Sequence, residues 1–171
     1  MTIGTWDDAA VTDPTAQATV TSLLKGLHSR QLGEDFTLAA SAARTVVAGA
    51  TGTPVVFNGG RRRFVVLLDI TASATEAGDT LDVYVDVLIG ATWINAIHFT
   101  QQAGNGAAKK EFAILDPAAP GTAVINVTTD ASSGVVRPAA FGSQMRARWT
   151  VVEANANANA SHTFSVTGYA V

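Results

Sequence analysis

Three histidines and a handful of carboxylates are the groups in this chain that could do chemistry. His28, His98 and His162 stand far apart, and no two share the short spacing by which a helix or loop presents a pair of metal ligands. His28 falls on the polar side of a helix-like run, His98 within a strand-like run and His162 at the start of another, so surface or hydrogen-bonded core roles are expected for all three. Asp82 and Asp86 share one face of a strand-like run. Four residues of strand span ~13 Å, too far for a carboxylate pair acting on one bond. Asp79, in the turn before them, could join Asp82 around calcium, but no ligand-rich loop accompanies the two. There is no cysteine, so thiolate nucleophiles, disulfides and Cys-ligated zinc drop out, and neither redox compartment is favoured. No G-x-S-x-G or P-loop occurs, and "NGGRRR" (Asn58 to Arg63) lacks the Lys-Ser/Thr of a phosphate cradle, so it reads as a turn. Trp93, Phe99 and Tyr169 could line a sugar groove, but at 7% aromatic residues core packing is the preferred role. The expectation is a chain with no catalytic residues, no cofactor and no metal.

Charge narrows the partners. Only 15% of residues are charged and the formal net charge is -3, against the basic surplus of a nucleic-acid binder. The one basic run, Arg61-Arg62-Arg63, reads as a solvated turn. No stretch approaches the ~20 apolar residues of a membrane span, and "MTIGTWDDAAVTDP" lacks the basic start and apolar core of a signal peptide. Neither nucleic acid nor membrane is therefore expected as a partner. Asn126-Val127-Thr128 and Asn159-Ala160-Ser161 match the glycosylation pattern and read as chance matches in a Thr- and Asn-rich chain. Low charge with abundant Ala, Thr, Val and Gly suits a surface partly covered by neighbouring subunits.

The elements divide the chain in two. Residues 1–12 show no period and read as an extended arm. Asp13 then suits an N-cap and Pro14 the first helical position. Ala16, Val20, Leu23 and Leu27 follow at spacings of 4, 3 and 4, and Leu24 widens the stripe; Gln17, Thr21, Lys25 and His28 take the other side. Gly26 weakens the helix by about 1 kcal/mol relative to Ala, and Gly33 suits its stop. A helix of roughly four turns is marginal alone in water, so the stripe must be buried against the chain's own β domain, copies of itself or a different protein. Its spacing permits a short bundle, although two heptads fall short of a coiled-coil signature.

From Phe36 the period is two. In "TLDVYVDVLI", Leu81, Val83, Val85, Val87 and Ile89 point one way, and Asp82, Tyr84, Asp86 and Leu88 the other. "FVVLLDIT" (64–71) reads as a central strand. "FTLAAS", "RTVVAG", "PVVFN", "TWINAIHF", "EFAIL", "AVINVT" (123–128), "MRARWTVV" and "HTFSVTGYAV" complete the set. In "MRARWTVV", Met145, Ala147, Trp149 and Val151 are expected inside and Arg146 and Arg148 outside. Turn-forming stretches separate these runs, and "EANANANASH" (153–162) reads as an exposed hairpin tip between the last two strands. The whole predicts an all-β antiparallel sandwich, jelly-roll-like, over residues 36–171, preceded by an arm and one amphipathic helix over residues 1–35. Trp149 has no flanking Cys pair that would favour an antibody-type sandwich.

"FTLAASAARTVVAGATGTPVVF", "RRRFVVLLDITASATEAGDTLDVYVDVLIGATWI" and "QMRARWTVV" resemble small virion proteins of tailed bacteriophages. Those carry a Leu-Ala-Ser-Ala-Ala-Arg-Thr run, a strand ending in "LDVTA", a "TLDV" strand, a Trp-containing strand and a "VRAVWTV"-like strand. The likeness covers Phe36 to Val171, and "DPTAQATVTSLLKGL" also looks like pieces of phage structural proteins; the "EANANANA" stretch departs from the plain form. These motifs mark sheets and turns, so no functional residues carry over. The resemblance implies a virion component, made in the bacterial host cytoplasm, most simply a capsid decoration or minor head protein. Its partners would be the major capsid or a neck or tail protein, and Ala16, Val20, Leu23, Leu24 and Leu27 would form the partner or oligomer interface; trimers are the analogy's first expectation. The alternatives are a neck, tail, baseplate or fibre adaptor, a carbohydrate-binding sandwich, and a jelly-roll hydrolase, for which no residue cluster speaks.

Overall fold

A computed structural model describes residues 33–57, 63–119, 128–155 and 159–171. The expected arm and helix, with Ala16, Val20, Leu23, Leu24 and Leu27, lie outside the described residues, as do Arg61, Arg62 and all but Thr128 of the strand expected at 123–128. The described residues form eleven strands and no helix: β1 (Glu34–Thr45), β2 (Val47–Thr51), β3 (Val55–Val56), β4 (Phe64–Ala72), β5 (Thr80–Ile89), β6 (Thr92–His98), β7 (Gln102–Ala103), β8 (Lys109–Leu115), β9 (Val135–Val136), β10 (Gln144–Val152) and β11 (Ser161–Ala170).

Two antiparallel sheets result. One has the order β1-β11-β4-β8; the other has the order β2-β10-β5-β6-β9, with β3 added on β10 and β7 on β5. The pairings are nested: β5 with β6, β4 with β8, β2 with β10, and β1 with β11. Rolling such a nest of pairs alternately into two sheets gives the jelly-roll sandwich. The innermost pair closes through Gly90-Ala91, with Ile89 opposite Thr92 and Gly90 at φ 60°. A glycine at the first of two turn residues suits the type II′ geometry that matches strand twist.

Alternation makes the core. Leu81, Val83, Val85 and Val87 of β5 and Met145, Ala147, Trp149 and Val151 of β10 are buried, as expected. They pack in one cluster with Phe64, Val66, Leu68 and Ile70 of β4 and Phe164 and Val166 of β11. The Trp149 and Phe164 rings meet edge-on, centroids 5.7 Å apart, joining the two sheets. Arg44 caps this contact: its guanidinium lies 4.6 Å from the Trp149 ring and 4.1 Å from the Phe164 ring. It donates to the carbonyls of Ala40, Ala42 and Phe164, and burial pulls its pKa below the ordinary arginine value. At the other end Phe36, Phe57 and Phe64 interlock edge-to-face. Gly168, opposite Phe36, admits that ring, since a Cβ there would come within 2.3 Å of its tip.

Three expectations are corrected. Ile89 is exposed rather than inward, because it stands at the turn where β5 leaves the sandwich. The 153–160 stretch is no hairpin tip: β10 and β11 belong to different sheets, so it crosses between them. His162 is buried with neither ring nitrogen partnered, rather than hydrogen-bonded.

Replacing Phe164 with Ala is expected to cost about 3–5 kcal/mol by urea denaturation, whereas exposed Phe112→Ala changes stability by less than about 0.5 kcal/mol. Burial pulls the His162 pKa below its ordinary value, against the opposing charge of Asp79. The folded chain thus refuses a proton that the unfolded chain takes up as pH falls through about 6.5. The His162 contribution is complete above that pH and is lost below it, by up to about 1.4 kcal/mol per pH unit, until the folded value is reached. Thermal unfolding between pH 7.5 and 5 should show a steeper loss in the native chain than in His162→Phe.

Candidate interaction surfaces

The outer face of the β2-β10-β5-β6 sheet is built by period two. Arg146 lies opposite Asp86, Arg148 opposite Tyr84, Tyr84 opposite His98 and Asp86 opposite Asn95, all on one face. Asp86 is buried, and its carboxylate accepts from Arg148 at 3.1 Å and Arg146 at 3.4 Å. Arg148 also pairs with Asp130 at 2.6 Å. The Arg146 guanidinium lies 4.1 Å over the Trp93 ring, and that of Arg148 lies 4.0 Å over Tyr84. On its other side Tyr84 stacks on His98 at 4.2 Å. The ring nitrogens of His98 sit 2.9 Å from Asp82 Oδ1 and 2.7 Å from the Ala131 carbonyl oxygen. Gln101 donates to the second Asp82 oxygen.

The connection from 128 to 137 closes over this face. Asn95 accepts from the Ala131 N–H and donates to the Ile97 carbonyl, while Arg137 donates to the carbonyls of Asn95 and Thr129. Burial would lower the Arg148 pKa, but its hydrogen bonds and charge contacts with Asp86 and Asp130 raise it overall. Burial and the charges of Asp82, Asp130 and Asp86 hold the Tyr84 phenol above its ordinary value, against Arg148. Tyr84 therefore remains a neutral phenol at physiological pH.

Chemically this face is occupied with itself. Both His98 nitrogens face acceptors, Asp82 Oδ1 and the Ala131 carbonyl, so the ring is engaged within the face on both edges. The Trp93 and Tyr84 rings already carry guanidinium groups. The three aromatics considered for a sugar groove are not brought together: Trp93 is on this face, Phe99 is in the core and Tyr169 is on the other sheet. Asp82 and Asp86 serve different partners, as their separation foretold, and Asp79 joins neither; it lies with Glu76 and Glu153. Arg63 of the basic run pairs with Asp116 at 2.5 Å. The Asp86 centre escaped the sequence reading, although Asp82 and Asp86 in one strand and Arg146 and Arg148 in another, all at outward positions, were a signal for it.

The outer face of the β1-β11-β4-β8 sheet has the opposite character. Tyr169, Val65 and Ile114 form one cross-strand row, and Thr167, Leu67 and Phe112 the next. Phe112 is 68% exposed, and Ile114 and Tyr169 are 43% exposed. The Lys110–Asp69 ion pair, 2.8 Å, borders the patch one row on. Beside it, an open groove of about 310 Å3 runs along Thr100, Glu111, Phe112 and Gly134.

No protein-family model matches the sequence, and no curated protein matches it. Among solved structures, a chain in the structure of infectious bursal disease virus Gx strain is 8% identical, with a TM-score of 0.48 over 81% of this chain and 31% of that one. A chain in the structure of the Gt strain is 7% identical, with a TM-score of 0.44 over 82% of this chain and 32% of that one. The protein thus spans under a third of the length of each viral chain.

Removing the Asp86 carboxylate leaves two half-buried guanidinium groups facing each other. Asp86→Ala should cost about 2–3 kcal/mol in urea denaturation, less than a fully buried pair because both arginines keep some solvent contact.

Proposed function

We propose that this chain is a non-enzymatic structural protein of a tailed-phage virion, a capsid decoration or minor head protein that docks through residues 1–35 and projects its jelly roll from the particle. The observation that carries the reading is the resemblance of Phe36–Val171 to small phage virion proteins. The stripe of Ala16, Val20, Leu23, Leu24 and Leu27 gives it a docking device. Burying ~200 Å2 of apolar surface at about 25 cal/mol per Å2 contributes about 5 kcal/mol gross, part of it offset by lost freedom. Repetition around a symmetric shell multiplies weak contacts into firm attachment. The exposed apolar rows on the four-stranded sheet support the reading, since patches of that kind mark contacts with other subunits. The 4-3-4 stripe also favours a second reading, a neck or tail adaptor bundled on its helices.

Particles of the phage whose genome encodes this chain, purified by density gradient, should contain it at a fixed copy number by quantitative mass spectrometry. Its absence from particles overturns the proposal, and gold-labelled antibody on tails rather than heads selects the second reading. In light scattering the full chain should exceed monomer mass if the stripe self-associates, and the double substitution Leu23→Glu with Leu27→Glu should return it to monomer. Equal masses direct the stripe to a different virion protein.

A further inference from the structure

We propose that Glu76, Asp79 and Glu153 bind a calcium ion at one end of the sandwich. Glu76 and Asp79 lie in the connection from β4 to β5, and Glu153 begins the crossover from β10 to β11. One oxygen from each lies within 4.8 Å of the others. Oxygens about 2.4 Å from one calcium ion stand no more than about 4.8 Å apart, so these separations are compatible with a single shared ion.

The cluster is acidic, and burial distinguishes it from a solvated acidic patch. Asp79 is wholly buried; its Oδ1 accepts the Ala154 N–H at 2.9 Å, while its Oδ2 has no partner. Glu153 repeats the pattern: Oε2 accepts the Ala160 N–H at 2.8 Å, and buried Oε1 has no partner. The Glu76 carboxylate is oriented by the side-chain amides of Asn155 and Asn159. Each acid is thus anchored by donors, and two of them leave a bare oxygen. Anchoring of this kind is what supporting groups do for metal ligands. Among the described residues no lysine or arginine ion-pairs with Asp79 or Glu153. Buried carboxylate oxygens without a partner are costly unless a cation compensates them.

Three carboxylates delivered by two irregular connections suit calcium, which accepts six to eight oxygens in flexible geometry and completes its shell with carbonyls and water. Magnesium demands a near-ideal octahedron and sheds water reluctantly. The ion would fasten the β4–β5 connection to the β10–β11 crossover. Both cross between the same two sheets, so it would act as a staple. It also gives "EANANANASH" a role: Asn155 and Asn159 orient Glu76, and Ala160 anchors Glu153.

The test uses the full chain stripped with EDTA and titrated with calcium chloride at constant ionic strength, read by calorimetry and thermal unfolding. Saturable binding is expected, with Tm rising by several degrees once calcium exceeds Kd about 100-fold. Glu76→Gln should weaken affinity at least ~10-fold, and Asp79→Asn should abolish it. Asp79→Asn retains the oxygen that accepts the Ala154 N–H; should it still fail to fold, Glu153→Gln serves in its place. No calcium response in the native chain overturns the proposal, as does a response undiminished in Glu76→Gln and Glu153→Gln.

Discussion

The last two strands hold the middle of both sheets. β11 lies between β1 and β4, and β10 lies between β2 and β5. Neither sheet has a centre until residues 144–170 are in place, and the pairing of Glu34 with Ala170 ties the two ends of the described domain together. Nested pairing of this kind makes nearly every ladder long-range, so loop closure must precede most of the burial that rewards it. The Trp149–Phe164 contact shows why the arrangement holds: one ring comes from each central strand, and Arg44 of the edge strand β1 seals the pair.

Period two explains what was legible beforehand. Met145, Ala147, Trp149 and Val151, and Leu81 through Val87, alternate cleanly because each strand has one dry face, and those residues line the core. The antiparallel sense followed from turn spacing, whereas the short strands β7 and β9, two residues each, left no period in the sequence to mark them. Partnership was not legible. Asp86 looks like one more outward carboxylate until β10 is laid beside β5 in a register that brings Arg146 and Arg148 to it. Likewise Asp79 was weighed with Asp82, its neighbour in sequence, whereas the fold turns it toward Glu153, which is distant in sequence. The 153–162 stretch misled for a different reason: Asn and Ala repeats signal an exposed turn, but a connection that changes sheets must cover the open end of the core, and Ala160 is buried there.

The two outer faces divide the polar and apolar surface unequally. On the β10–β5–β6 side, opposite charges, stacked rings and the 128–137 connection satisfy one another, leaving that face little reason to seek a partner. On the β4–β8 side, Val65, Leu67, Phe112, Ile114 and Tyr169 stand in open cross-strand rows. Among the described residues β8 ends this sheet, and the charges of Lys109, Lys110 and Glu111 at its start disfavour edge-to-edge pairing.

A sandwich built this way has a direction. Its self-contained face suits solvent, its apolar face suits a neighbour, and its charged edge discourages growth of the sheet into the next molecule. Low overall charge would favour such a contact, because a surface with few ions loses less to desolvation when it is covered. Of the buried carboxylates, Asp86 is paired with arginines, while Asp79 is gathered with Glu76 and Glu153. The gathered acids lie where the chain passes between sheets, the part of a sandwich that ladder hydrogen bonds cannot secure. Attraction between an ion and fixed carboxylates would there do the work that backbone pairing does everywhere else.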